Sequence, residues 1–264
     1  MLRAAWARLM RHTGRRERVA MAVLLAVFVV GILGAPLVEG GPTTLSGVSL
    51  QAPLGRDHLG RNVLIRLIGG AGAVAIPFAW AALIGGLGAA AAAWSSWTGG
   101  VVRGAFGGLV GVIAAIPSFV WVLLALSVYG RSQAVLGVAA GIAFLPGVVA
   151  VLDARIAPWR QDPTILAELA HGVPPRVVLW ERLVFWECGP ALVRQTLGLF
   201  GFVAALEATL AYLGFTVGEP LPSWGNAVVF DWGRTDLALV ARLAPAATLW
   251  LTCWLATVAA GDRA

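Results

Sequence analysis

Glu207 is the residue of this 264-residue chain whose type and setting most demand a chemical explanation. It stands inside LFGFVAALEATLAYLG, an otherwise apolar run. A carboxylate at the centre of a bilayer costs about 2.5–3.5 kcal/mol on insertion scales, so it must face a partner or a watered path. Two readings fit the residue. One is a carboxylate near the outer end of a span, held by backbone N–H groups or an arginine. The other is a direct contact to something transported. Arg194, earlier in the same span, has a stem long enough to snorkel to the headgroups. Arg242, in the last apolar run, can pair with an acid across a bundle or snorkel outward. No glycine loop ending in Lys-Ser or Lys-Thr is present, because the chain has no lysine. No Ser-His-Asp or H-E-x-x-H pattern occurs either. His12, His58 and His171 lie far apart, as do Cys188 and Cys253, so they form neither a metal motif nor a disulfide framework. We therefore expect no catalytic residue and no metal ligand. The expected work is movement of a substrate, driven by energy from elsewhere.

The elements that must position these residues are membrane spans. Hydrophobic residues make up 59% of the chain and charged residues 12%, against roughly 25% charged in a soluble domain. The net charge of +6 comes from arginine and sits mostly at span ends, where membrane topology accounts for it better than nucleic acid does. Residues 1–18 are a basic head with six arginines, and the apolar run 19–38 is long enough to cross a bilayer. It is long for a cleaved signal peptide and no A-x-A-like site follows, so an uncleaved first span is expected. Further spans are expected to end near Trp94, then over 105–128, 134–152, 190–213 and 237–259. Pro117 and Pro146 fall inside spans, where each removes a backbone hydrogen bond and can bend or break the helix. The small-residue stretches GGLGAAAAA and GAFGGLVG allow close helix packing. Trp94, Trp97, Trp121, Trp180, Trp186 and Trp224 lie near expected span boundaries, as interfacial anchors do.

Between the fourth and fifth spans, residues 153–187 hold nine of the chain's 32 charged side chains. Asp162-Pro163 is a helix start: Asp caps free N–H groups and Pro fits the first helical position. The spacing predicts a short helix over 163–171, stopped at Gly172. Pro174-Pro175 opens a second helix, RVVLWERLVFW, with Val177, Trp180 and Val184 on one face. This helix pair is either an amphipathic connector at the membrane surface or a docking element for a soluble partner. Six spans put both termini on one side. The basic head, the 95–104 loop, the insert and the tail carry 12 arginines, and the opposite loops carry five. The positive-inside rule then puts both termini and the insert in the cytoplasm.

Three stretches together resemble the permease subunits of bacterial binding-protein-dependent ABC importers, most closely the second permease of the dipeptide/oligopeptide/nickel group. LGRDHLGRNVLIRLIGGA is similar to that group's signature, with Asp57, Gly60, Arg61 and Arg66 among the matches. Arg56 and Asn62 depart from it. EATLAYLGFTVGEPLPSWGNAV is similar to a second signature, through Glu207, Pro220, Pro222, Ser223, Trp224 and Gly225 among others. AELAHG stands where the group has its coupling loop and keeps Ala167, Ala170 and Gly172, while Glu168 replaces a usual alanine.

The resemblance implies an all-α polytopic membrane protein with the type I ABC importer permease fold. In it, residues 19–38 form the first span of six and 39–264 a permease core. That core includes a cytoplasmic coupling loop over 154–188 and an extracytoplasmic loop over 214–236. It further implies that Ala167, Glu168, Ala170, His171, Gly172 and Arg176 meet a cytoplasmic ATPase, that Glu207 and Pro117 line or gate the path, and that Pro220, Pro222, Ser223, Trp224 and Gly225 belong to a stiff, partly buried hairpin facing an extracytoplasmic binding protein. The implied partners are a second permease subunit, two ATPase subunits, the binding protein and the lipid bilayer, with no nucleic acid. This chain would bind no cofactor, and ATP and Mg would sit on the ATPases. The implied place is the bacterial inner membrane, and the implied cargo is peptides or a metal chelate. An ion-gradient-driven transporter or channel would instead show several midplane ionisable groups and an inverted repeat. A membrane-bound enzyme would show clustered polar groups near one face.

Overall fold

The computed structural model describes residues 14–34, 52–159, 161–215 and 221–261. The expectations for most of the basic head, for the 39–51 loop and for Pro220 lie outside these residues. Every regular element described is helical. In order they are α1 (Arg15–Gly34), α2 (Val63–Gly70), α3 (Gly72–Thr98), α4 (Gly100–Ala115), α5 (Ser118–Tyr129), α6 (Gln133–Trp159) and α7 (Pro163–Ala170). They continue with α8 (Pro175–Tyr212), α9 (Trp224–Asp231) and α10 (Leu239–Ala260).

Among the described residues, four helical stretches are long and apolar enough to cross a membrane: Val63–Thr98, α6, α8 and α10. A fifth follows if α4 and α5 count as one broken span. This architecture fits a polytopic membrane protein. The apolar part of α1 within the described residues runs only over 19–34, short of the roughly 20 residues a span needs. The third expected span is not one kinked helix. α4 and α5 meet at 85°, because Ile116 and Pro117 are both extended, with ψ of 128° and 134°. Proline lacks the N–H that would continue the helix and disfavours helical geometry in the residue before it. Pro117 therefore caps α5. The indole N–H of Trp121 donates to the Ile113 carbonyl at 3.1 Å and satisfies one group the break exposes. Pro146, by contrast, sits within a continuous α6.

The tightest packing joins α3 and α6. A Cβ on Gly137 would lie 2.3 Å from the Pro77 carbonyl oxygen, and one on Gly141 would lie 2.8 Å from Ile84 Cβ. Small residues let the two backbones approach and maximise dispersion contact. Of the stretches singled out in sequence, Gly88 packs against Leu145, whereas Gly104, Gly107, Gly108 and Gly111 have nothing within 4 Å. The close-packing stripe is thus Gly137 and Gly141. One core cluster binds α1, α3, α5, α6, α8 and α10 through residues such as Leu24, Val74, Val122, Leu136, Phe200, Val203 and Ala256. A second lies at the other end of the body. There Ala92, Val148, Leu152 and Ile156 pack against Ile165, Val178, Leu179, Leu183 and Cys188.

The insert departs from its expected form in two ways. Its second helix does not stop before the fifth span; it runs on through Gly189 to Tyr212 as one 38-residue stretch. Within it, Val178–Cys188 is a wide π-helix, whose i→i+5 bonding gives more residues per turn than an α-helix. The fully buried positions are accordingly Val178, Leu179, Leu183 and Cys188, while Trp180 and Val184 of the face that α-helical spacing predicts are half-buried against the same cluster.

Candidate functional site

α8 separates two polar regions. Its Gly189–Tyr212 part has 24 residues, about 36 Å at 1.5 Å per residue. The insert lies before it and α9 after it, so the two regions sit at opposite ends of the body.

At the α9 end the turn before α2 folds around Asp57, which is 1% exposed. Its Oδ1 accepts from the backbone N–H of Leu59 at 3.0 Å and of Arg61 at 2.8 Å. Its Oδ2 accepts from Arg61 Nε at 2.8 Å and lies 3.2 Å from Arg66 Nε. Gly55 and Gly60 have φ of +82° and +75°, which a turn this tight requires of its glycines. The departing residues also serve the turn. Arg56 Nη1 donates to the Gly60 carbonyl at 2.8 Å, and Asn62 caps α2 by accepting from Leu64 N at 2.9 Å. His58 then ties the turn to α9: its backbone N–H and its Nδ1 lie 3.1 and 2.6 Å from Asp231 Oδ1. Burial pushes the Asp231 carboxyl above its ordinary range, opposed by these two His58 contacts. Such a buried ionic cluster contributes little net stability but fixes geometry, since removing one partner strands a charge.

The second sequence motif meets the first here. Ser223 caps α9, its Oγ accepting from Asn226 N at 3.1 Å and donating to Glu207 Oε1. Glu207 is 1% exposed. Its described bond goes to the Ser223 hydroxyl. Pro222, Ser223, Trp224 and Gly225 are buried, and they start a helix in place of the expected stiff hairpin. The Trp224 indole donates to the Leu67 carbonyl at 2.7 Å and covers Gly70, where a Cβ would lie 2.6 Å from its ring. Exposed apolar residues of α9 and its flanks include Leu221, Val229, Phe230 and Trp232. Glu207 and Ser223 also line a cleft with Arg131, Gln133 and Phe215. Its free volume is about 10 Å³, room for at most one water, so the cleft is closed. Arg131 lies 5.1 Å above the Phe215 ring across its mouth.

At the insert end, Asp153 belongs to α6, where it accepts from Ser96 Oγ at 2.7 Å and pairs with Arg103. This fastens the α3–α4 connection to α6. Asp162 caps α7, accepting from Thr164 N at 2.8 Å. Gly172 ends it at φ +85°, where its N–H donates to the Leu169 carbonyl at 3.0 Å and Val173 N–H donates to Glu168 O at 3.1 Å. Ile165 anchors α7 in the second core cluster. Ala167, Ala170, His171, Gly172 and Arg176 are exposed, together with Leu166, which sequence reading passed over. Glu168 is partly buried, and its Oε1 accepts from Arg182 at 2.5 Å.

The structure thus brings Asp57, Gly60, Arg61 and Arg66 together with Glu207 and the Pro222–Gly225 residues through shared helices. It leaves Pro117 and the α7 residues in separate places. Asp231 was missed by sequence reading, although an acid between Phe230 and Trp232 was a visible signal.

No family model matches the chain. Individual relatives do. A dipeptide transport system permease protein of Alkalihalophilus pseudofirmus is 24% identical over 211 residues, 77% of this chain and 67% of the relative. A probable peptide ABC transporter permease protein of Sinorhizobium fredii is 28% identical over 83% of this chain and 77% of its own length. An oligopeptide transport system permease protein of Haemophilus influenzae is 23% identical over 92% of this chain and 81% of its own length. Motifs and relatives agree: the chain is a homologue of dipeptide and oligopeptide ABC transport permease proteins.

Proposed function

We propose that this chain is a membrane permease subunit of an ATP-driven ABC importer, that it forms half of a path for peptides, and that the insert couples it to cytoplasmic ATPases. One observation carries the coupling: α7 is a rigid, capped helix whose Ile165 is fixed in the body while its Leu166, Ala167 and Ala170 face outward. A push on that face travels through Leu179 and Leu183 into α8, whose far end holds Glu207. In this reading α1 and the α4–α5 pair complete six spans, and both termini and the insert lie in the cytosol of a bacterial inner membrane. The exposed Leu221, Phe230 and Trp232 then face the extracytoplasmic binding protein. A second permease subunit supplies the other half of the path, and ATP and Mg stay on two partner ATPases. The closed cleft beside Glu207 is the shut state of the outer gate.

The test is reconstitution of the chain with its second permease, ATPase and binding protein in liposomes. Peptide uptake that requires ATP and all four components supports the reading. Uptake that follows an ion gradient and ignores ATP would replace it with the secondary-transporter alternative.

A further inference from the structure

α9 is pinned to the body at both ends. Its start is held by Ser223, whose Oγ donates to Glu207, and by Trp224, whose indole donates to the Leu67 carbonyl. Its last residue, Asp231, is held by His58, whose backbone N–H and Nδ1 both reach Asp231 Oδ1. Side-chain exposures of 14% for His58 and 2% for Asp231 shield the carboxylate and leave the ring in touch with water. Phe230, itself exposed, lies against the ring with centroids 5.3 Å apart. Around the contact, among the described residues, Asp57 is engaged by Arg61 and Arg66, and Arg56 by the Gly60 carbonyl. Arg234 is engaged by Asp236, on which Arg242 of α10 also acts. Asp57 and Arg234 act on Asp231 in opposite senses. Burial favours the protonated form of Asp231, so the closed site as a whole favours an added proton. With Nδ1–H directed at the carboxylate, that proton enters the ring at Nε2. Histidine is the side chain that changes charge between pH 5 and 8. A charge added beside a carboxylate shielded from water strengthens their attraction.

We propose that the contact between His58 and Asp231 is a proton-operated latch on the outer mouth. A proton taken by His58 from the extracytoplasmic medium holds the C-terminal end of α9 against the turn before α2. Loss of that proton lets this end lift, so that α9 pivots about Trp224, carries Phe230 with it and loosens the Ser223 bond that covers Glu207. The latch rests on the permease reading above, which places α9 outside and makes its lifting an opening of the path. Peptide uptake is then slower from an acid medium than from a neutral one.

The experiment uses the full chain with its second permease, ATPases and binding protein in liposomes that hold ATP, with only the outer pH taken from 5 to 8. In a background with Cys188 and Cys253 replaced by serine, spin labels on Leu64→Cys and Gly233→Cys report the gap between α2 and the end of α9; both positions are exposed. The gap is expected to widen from pH 5 to pH 8, and peptide uptake to rise by about threefold or more relative to His58→Gln. His58→Gln keeps a donor for Asp231 but cannot gain the charge, so its gap should ignore pH. A wild-type gap equal at both ends of the range, or a pH response kept by His58→Gln, overturns the latch and leaves the permease reading standing. Absence of ATP-driven uptake at every pH overturns the permease reading, while the gap series still decides the latch. Should His58→Gln not insert, the wild-type gap alone decides.

Discussion

Gly225→Ala tests the joint between α8 and α9 most sharply. Gly225 is the second residue of α9, directly after the indole peg of Trp224. A Cβ at this position would lie 2.6 Å from Ala211 Cβ, 2.9 Å from Ala208 Cα and 3.0 Å from Glu207 Oε2. Carbon atoms prefer about 3.5–4.0 Å, so α9 must retreat by about 1 Å. Neither alanine atom has a rotamer through which to move aside. Overpacking of this kind costs about 1–3 kcal/mol, and exchanging glycine for alanine in a helix returns about 0.5–1 kcal/mol. The expected net loss is about 0–2.5 kcal/mol against wild type, and about 1–3 kcal/mol, roughly 5- to 150-fold in the folding equilibrium, against a glycine-to-alanine exchange without strain. The same retreat stretches the bond from Ser223 to Glu207. The assay is unfolding of the chain in bicelles, with Gly108→Ala as comparator, because a Cβ there meets nothing within 4 Å. Gly108→Ala should match or exceed wild type. Should Gly225→Ala prove as stable as Gly108→Ala, α9 is not packed on α8 in the way described.

Asp57→Asn removes the buried carboxylate that Arg61 and Arg66 both face, and should be destabilising by about 1–3 kcal/mol, read as lost folded protein and a lower midpoint in the same unfolding assay. Gly172→Val places a β-branched residue at φ +85°, at a cost of about 1–2 kcal/mol. With nothing within 4 Å to clash, the chain should still insert, while ATP hydrolysis in the reconstituted complex loses its link to peptide uptake. Trp224→Phe keeps an aromatic ring over Gly70 but loses the bond to the Leu67 carbonyl, for about 1–3 kcal/mol, measured against wild type by unfolding midpoint. Asp231 has its pKa raised on folding, so the folded state binds the proton more tightly above 3.8. Its contribution to stability is therefore greatest at and below that pH and falls as pH rises through the raised value. Melting of wild type against Asp231→Asn across that window should show the slope, and an opposite slope would contradict it.

Local rules made much of the fold legible. Asp162, Pro163 and Gly172 bracket α7 because capping and positive φ are properties of a few neighbouring residues. The apolar runs located α3, α6, α8 and α10 because desolvation depends on composition over about 20 residues. What stayed hidden depends on distance or on bonding pattern. The tie between His58 and Asp231 spans 173 positions, and no local pattern marks it. The buried stripe of Val178, Leu179, Leu183 and Cys188 follows π-helical spacing, so an α-helical reading chose its neighbours instead. Whether Pro117 bends or breaks its helix stayed open in the sequence, because a proline's effect depends on whether the residue before it is also extended, as Ile116 is. The second motif was read as a stiff, partly buried hairpin, and it opens a helix. The seat of Trp224 was not legible, because it depends on Gly70, 154 positions away, leaving room beneath its ring.

The central claim places the insert and α9 on opposite sides of one membrane, with the insert in the cytosol. The direct measurement is labelling of single cysteines by an impermeant thiol reagent in right-side-out vesicles, in a background with Cys188 and Cys253 replaced by serine. Gly233→Cys should react in intact vesicles, and His171→Cys only after the membrane is permeabilised. Reaction of His171→Cys in intact vesicles would put α7 beyond the reach of any cytoplasmic ATPase and contradict the account.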